Sequence, residues 1–205
     1  MSRYDYYEDM KRRARDIRAE FGLTSPRVQL NDLRRIYKAQ GIKIDLWEGK
    51  LKNLRGAYFR DETGASVMIA KKLPKEQRIF TMGHELKHHL ADAVEVRCMD
   101  LKASDEIEIG AEVFAVELIF PEADFTNALH ALDVQLDACE PQHIVRLKRE
   151  SATTLSFTSL GKLAVHLRFA PAGTFDDVHW KKLDESIYGE PLYKRLLRRR
   201  GVAVR

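Results

Sequence analysis

From Pro74 to Ala91 only Gly83 interrupts a run of helix-forming residues, and this stretch constrains the chain more than any other. Pro74 suits the first turn of a helix, where its missing N–H costs nothing. Ile79, Phe80, Leu86 and Leu90 supply apolar contacts, so the helix has a side to bury. Inside that run, residues 84–89 read His-Glu-Leu-Lys-His-His. Residues four apart on a helix lie about 40° from alignment and one turn apart in height. His84 and His88 can therefore converge on one tetrahedral ion. Glu85 is rotated by about 100° from His84 and can reach a water on that ion, though not the ion itself. Zinc lowers the pKa of such a water toward about 7, and a carboxylate can then take its proton as general base. His89 points about 100° away from His88 and does not share the ion.

A catalytic zinc takes three protein ligands and keeps a fourth position open. The third must come from another element. Glu106, Glu108 and Glu112 on the following helix are candidates, with His130 further on. Glu108 and Glu112 are four apart and share a face, whereas Glu106 lies about 200° from Glu108. We expect Glu108 to be the ligand and Glu112 to accept the free N–H of a ligating histidine. Two alternatives stay open. Asp105-x-x-Glu108 also fits a capping-box variant at a helix start, and charge alone would let Glu112 be the ligand. Manganese and iron also suit two histidines and a carboxylate.

The rest of the chain reads as α+β. Met10, Ala14, Ile17 and Phe21 recur at helical spacing over 7–21, with Gly22 as a stop. Leu30, Leu33, Ile36 and Tyr37 mark a second helix that ends at Gly41. The period then changes to two: Ile42, Ile44 and Leu46 alternate with Lys43, Asp45 and Trp47. Strands over 57–60 and 66–70 flank the turn Asp61-Glu62-Thr63-Gly64 and predict a hairpin. Residues 105–120 form a helix stopped by Pro121, and 121–169 read as several short helices. Pro171-Ala172-Gly173 is the clearest linker signal, and Trp180 to Arg200 reads as a helical tail interrupted at Gly189-Glu190-Pro191. The expected organisation is a core over 1–121 with a small antiparallel sheet packed on helices, a helical subdomain over 122–170, and a basic helical extension over 171–205.

Composition excludes little but points one way. Hydrophobic residues make up 44% and charged residues 32%, with a formal net charge of +4, as in an ordinary globular chain. No apolar run is long enough to span a bilayer, and the opening residues lack the apolar region of a signal peptide. We therefore expect a cytoplasmic protein with no membrane partner. Cys98 and Cys139 lie far apart, outside any C-x-x-C pair, and read as reduced thiols. The positive excess gathers in Lys194, Arg195, Arg198, Arg199, Arg200 and Arg205. Such a tail can touch nucleic acid or an acidic partner, but the favoured reading is a solvated terminal helix.

Residues 81–89, TMGHELKHH, followed by 108–121, EIGAEVFAVELIFP, resemble the ImmA/IrrE family of zinc metallopeptidases. The resemblance covers 5–121 well and 122–170 weakly. It implies a zincin-like peptidase core with His84, His88 and Glu108 on zinc and Glu85 as general base. Glu112 stands where the family usually has asparagine, Lys87 where a small residue is common, and Phe120 where methionine is common. The family's members act as endopeptidases on helix-turn-helix repressors, so the implied partner is such a repressor. Many carry a small helix-turn-helix-like bundle after the core, and Leu147, Leu155, Leu160 and Leu163 suit that bundle or a packing subdomain. Two other readings are carried forward: a non-catalytic metal-containing regulator that binds a repressor or toxin, and a DNA-binding regulator.

Overall fold

The computed structural model describes residues 2–48, 54–91, 105–191 and 194. In chain order the elements are α1 (Arg3–Glu20), α2 (Leu30–Ala39), β1 (Ile42–Trp47), β2 (Gly56–Asp61), β3 (Gly64–Ala70), α3 (Lys75–Ala91), α4 (Asp105–Ile119), α5 (Glu122–His130), α6 (Pro141–Ser151), α7 (Phe157–His166) and α8 (Trp180–Tyr188). The class is α+β, as the segment pattern predicts. Helix α1 starts earlier than the apolar period indicates. Ser2 caps it: the Asp5 amide donates to the Ser2 hydroxyl, and the Ser2 amide donates to the Asp5 carboxylate, each at 3.1 Å.

The sheet is small and packed on helices, as expected; its antiparallel part is the β2–β3 pair, and the third strand, β1, makes it mixed. Strands β2 and β3 form the expected antiparallel hairpin, with Tyr58 opposite Val67. Strand β1 instead pairs parallel with β3, Ile44 opposite Val67, and the order is β1-β3-β2. Alternating hydrophobicity says which face of a strand is buried but not which neighbour it takes. Here β3 inserts between the two strands that precede it.

The chain divides into two compact units, Met1–Phe125 with Ser151–Ser156, and Thr126–Glu150 with Phe157–Arg205. In the first, α3 lies at the centre. It packs on α4 along one side and on α2, β2 and β3 along others. Tyr37 of α2 is fully buried and donates its hydroxyl to the Met82 carbonyl at 2.7 Å, just ahead of the histidines. Helix α1 clamps α4 by charge as well as by packing. Arg18 donates to the Leu118 carbonyl at 2.7 Å, and Arg15 pairs with buried Glu117 at 3.0 Å. Lys11 bonds both Glu8 at 2.9 Å and Glu122 at 2.7 Å.

Helices α3 and α4 approach closely at Gly83. A Cβ there would lie 3.3 Å from the Ala115 Cβ and 3.7 Å from Leu118. Gly83→Val should therefore wedge the helices apart. We expect a loss of about 1–3 kcal/mol in urea unfolding, the usual cost of overpacking, together with weaker metal binding. Unchanged stability and metal affinity would mean that the spacing of α3 and α4 does not matter.

The second unit has its own core, built from Leu129, Val134, Ile144, Val145, Leu147, Leu160, Leu163 and Phe169. After Pro171 the chain folds back onto α7: Phe175 lies against Gly161, and Trp180 stacks on Phe157 with ring centroids 5.6 Å apart. Arg149 grips the Asp184 carboxylate through two bonds of 2.8 and 2.6 Å. Cys139 is a free, buried thiol pushed up to about 12 by burial and by the charge of Glu140. Cys98 and the basic cluster beyond Lys194 lie outside the described residues. Among the described residues no helix is long and apolar enough to cross a membrane.

Candidate metal centre

Helix α3 arranges its polar residues in two parallel rows. His84 and His88 form the first, four apart. Glu85 and His89 form the second, each about 100° on from the histidine that precedes it. The first row meets α4. His84 Nε2 and His88 Nε2 lie 3.3 Å apart, Glu108 Oε2 is 3.2 Å from His84 Nε2, and Glu108 Oε1 is 3.9 Å from His88 Nε2. One ligand atom from each of the three residues falls within 4.8 Å of the others, the spacing of a group able to hold a metal ion. Bond lengths of about 2.0–2.1 Å at tetrahedral angles put neighbouring donors about 3.3 Å apart. The His84–His88 and His84–Glu108 separations are close to that value, and the nearest approach of Glu108 to His88, through its other oxygen, is longer, so the group suits a small metal ion after a modest adjustment of the carboxylate.

The electrostatics follow from the same contacts. Burial works to lower the His84 pKa, but its bond to Glu108 and the charges of Glu85, Glu108 and Glu112 outweigh it and the pKa is raised. The bond from His84 holds the Glu108 carboxyl below its usual range against the effect of burial, helped by the charges of His84, His88 and Lys87. Glu112 lies one turn beyond Glu108 on α4. It is exposed, stands apart from the three-residue group, and acts on His84 through its charge. Glu106 is exposed at the helix start. His130 belongs to the second unit, where its ring packs edge-on against Phe169.

The second row faces β2. Glu85 is buried, and Gly56 leaves room for it: a Cβ at that position would meet Thr81 Cγ2 at 2.5 Å and Glu85 Oε1 at 3.1 Å. One turn on, His89 Nδ1 is 3.1 Å from the Tyr58 hydroxyl, with the two rings edge-on. Burial and then the charge of Arg60 lower the His89 pKa. Lys87, read from sequence only as an unusual residue at its position, is fully buried. Its Nζ donates to the Ile107 carbonyl at 3.2 Å, beside Glu108, and sits over the Tyr6 ring. Apolar periodicity treats a lysine as surface, so nothing in the pattern of spacing signalled this contact.

A histidine pair on one helix, a carboxylate in the adjoining row and an acidic donor from the next helix are the parts that a metallopeptidase-like domain requires. The family comparison is specific: the model of the IrrE N-terminal-like domain, Peptidase M78, matches residues 38–151, more than half of the 205-residue chain. The chain belongs to that family. The match begins at the end of α2 and runs through α6, so it takes in the sheet, both site helices and the Ser151 end of the first unit. A comparison with curated proteins finds no match.

Proposed function

We propose that the protein is a zinc-dependent endopeptidase acting on a regulatory protein, a helix-turn-helix repressor. The observation that supports this reading is the convergence of His84, His88 and Glu108, with Glu85 buried in the neighbouring row of the same helix. These three residues would hold the ion, which supplies Lewis acidity toward a carbonyl and acidifies water. Glu85 would take the proton of the attacking water and deliver it to the leaving amide nitrogen. Its burial, at 4% exposure, keeps bulk solvent from that carboxylate. Strand β2 supports a way to seat the substrate. Among the described residues it pairs only with β3, and its first residue lies on Glu85. A peptide laid along β2 in extended form would carry a carbonyl past that carboxylate.

The second unit supports a packing role over DNA reading. On α7, Phe175 covers Gly161 and Trp180 covers Phe157, and Lys162 is the helix's sole lysine or arginine. One cation makes α7 itself a poor phosphate-binding helix, while α6 carries Arg146, Lys148 and Arg149.

Incubation with a panel of helix-turn-helix repressors, beginning with any encoded beside this chain, tests the reading. Mass spectrometry should find two fragments that sum to the intact repressor. Chelation should abolish them and added zinc should restore them. Persistence of cleavage after the metal is stripped, or repression relieved with the repressor intact, would overturn it.

A further inference from the structure

We propose that His89, oriented by Tyr58, is a second catalytic residue that donates a hydrogen bond to the carbonyl oxygen of the peptide under attack. The inference rests on the peptidase reading and adds a residue to it. Its basis is the two-row geometry of α3. Glu85 follows the ligand candidate His84, and His89 follows the ligand candidate His88, so the two are displaced to the same side by the same rotation of about 100°. If Glu85 reaches a water beside the ion, then His89 reaches the same flank about one turn further along, about 6 Å away.

Both face β2. Gly56 lies against Glu85, and Tyr58, the next residue on that side of the strand, meets His89. The opposing residues on β3, Ile69 and Val67, are fully buried. Tyr58 is itself only 5% exposed, which gives its hydroxyl little choice of direction. The Tyr58 hydroxyl lies 3.1 Å from Nδ1; with that hydroxyl as donor, the ring carries its proton on Nε2. An imidazole held this way has one N–H left to give, while His89 as a whole stays partly open to the outside. No proton leaves His89 in this role. The bond strengthens as negative charge gathers on the oxygen, and a donor fixed beforehand costs no reorganisation at that moment. Tyr58 is a positioning residue, since it acts only through the histidine.

Zinc-loaded wild type, His89→Phe, His89→Gln and Tyr58→Phe can be compared by calorimetry with two dipeptide ligands bearing the same leucine side chains. One is a phosphonamidate, whose tetrahedral oxygens stand where the charge develops. The other is a mercaptoacyl peptide, which takes the metal through sulfur and has no such oxygen. His89→Phe should weaken the phosphonamidate by roughly 100-fold, as expected for loss of one oxyanion donor, and change the thiol ligand by less than about threefold. His89→Gln keeps an N–H near the Nε2 position and should recover most of the affinity. Tyr58→Phe should lie between, at about tenfold. Equal losses for both ligands, or none for the phosphonamidate, would overturn the inference. If His89→Phe does not fold and hold one zinc per chain, Tyr58→Phe decides, and wild-type behaviour from it counts against the pair. Wild type that holds zinc yet binds neither ligand would remove the peptidase reading itself, and this inference with it.

Discussion

Glu85→Gln should leave the protein folded and metal-loaded while slowing peptide hydrolysis by roughly 10²–10⁴-fold, the range that a positioned general base supplies. The substitution isolates one property. Glutamine fills the same space against Gly56 and Thr81, where even a Cβ on residue 56 would lie 3.1 Å from the carboxylate oxygen, so packing is preserved. It can donate and accept hydrogen bonds but cannot take the proton of the attacking water. The candidate ligand atoms belong to His84, His88 and Glu108, so metal content should stay at the wild-type level. Single-turnover cleavage with metal analysis of the same sample checks each part. Equal rates for the two proteins would show that Glu85 is not the base. Loss of metal in the variant would give the residue a ligand's role that its rotation on α3 does not predict.

How much of this was legible beforehand depends on what kind of information each feature needs. The helix stops at Gly22 and Gly41 are local, and α1 and α2 end just ahead of them. The strand faces are local too: Ala65, Val67 and Ile69 alternate with less buried neighbours, as the period of two requires. The start of α1 was also readable, since Ser2-x-x-Asp5 has the spacing of a capping box, but the apolar count began only at Tyr7. Strand order was not legible. Nothing in the residues 42–47 says that β3 will be their partner, because pairing is a property of two segments and a register.

The site divides the same way. The histidine pair is one helical turn of a single element, and the choice of Glu108 over Glu106 needs only the rotation of another. The contact of Lys87 with Ile107 and that of His89 with Tyr58, 31 residues away, depend on how elements meet. Position-by-position patterns carry no trace of either. Lys87 was visible only as a departure from the family pattern, without its consequence. Its ammonium is now seen to hold the carbonyl next to Glu108 and to help keep that carboxyl ionised.

Glu108→Ala should weaken zinc binding by more than about 100-fold, beyond the roughly 10–100-fold that loss of an outer hydrogen-bond partner costs. Among the described residues, Glu108 is the acidic residue whose oxygens approach both histidines, at 3.2 and 3.9 Å. Without it the pair must share the ion with solvent. Glu112→Gln makes the comparison sharp, because Glu112 lies on the same helix and adds the same formal charge but stands outside the three-residue group. Its removal should cost less than tenfold. The pH profile gives a second signature. Protons compete with metal for His84, so affinity falls as the pH drops through the pKa of that imidazole. Burial lowers that pKa and the bond to Glu108 raises it, with the net shift upward. Deleting Glu108 removes the strongest raising partner, so the acid edge of metal binding should move to lower pH even as the affinity at neutral pH drops. Competition with a chromophoric chelator between about pH 5 and 8 reads both effects, in the range where histidine titrates. An acid edge that stays in place while affinity falls would mean that Glu108 binds metal without its inferred bond to His84. A Glu112→Gln variant as weak as Glu108→Ala would transfer the ligand role one turn along α4.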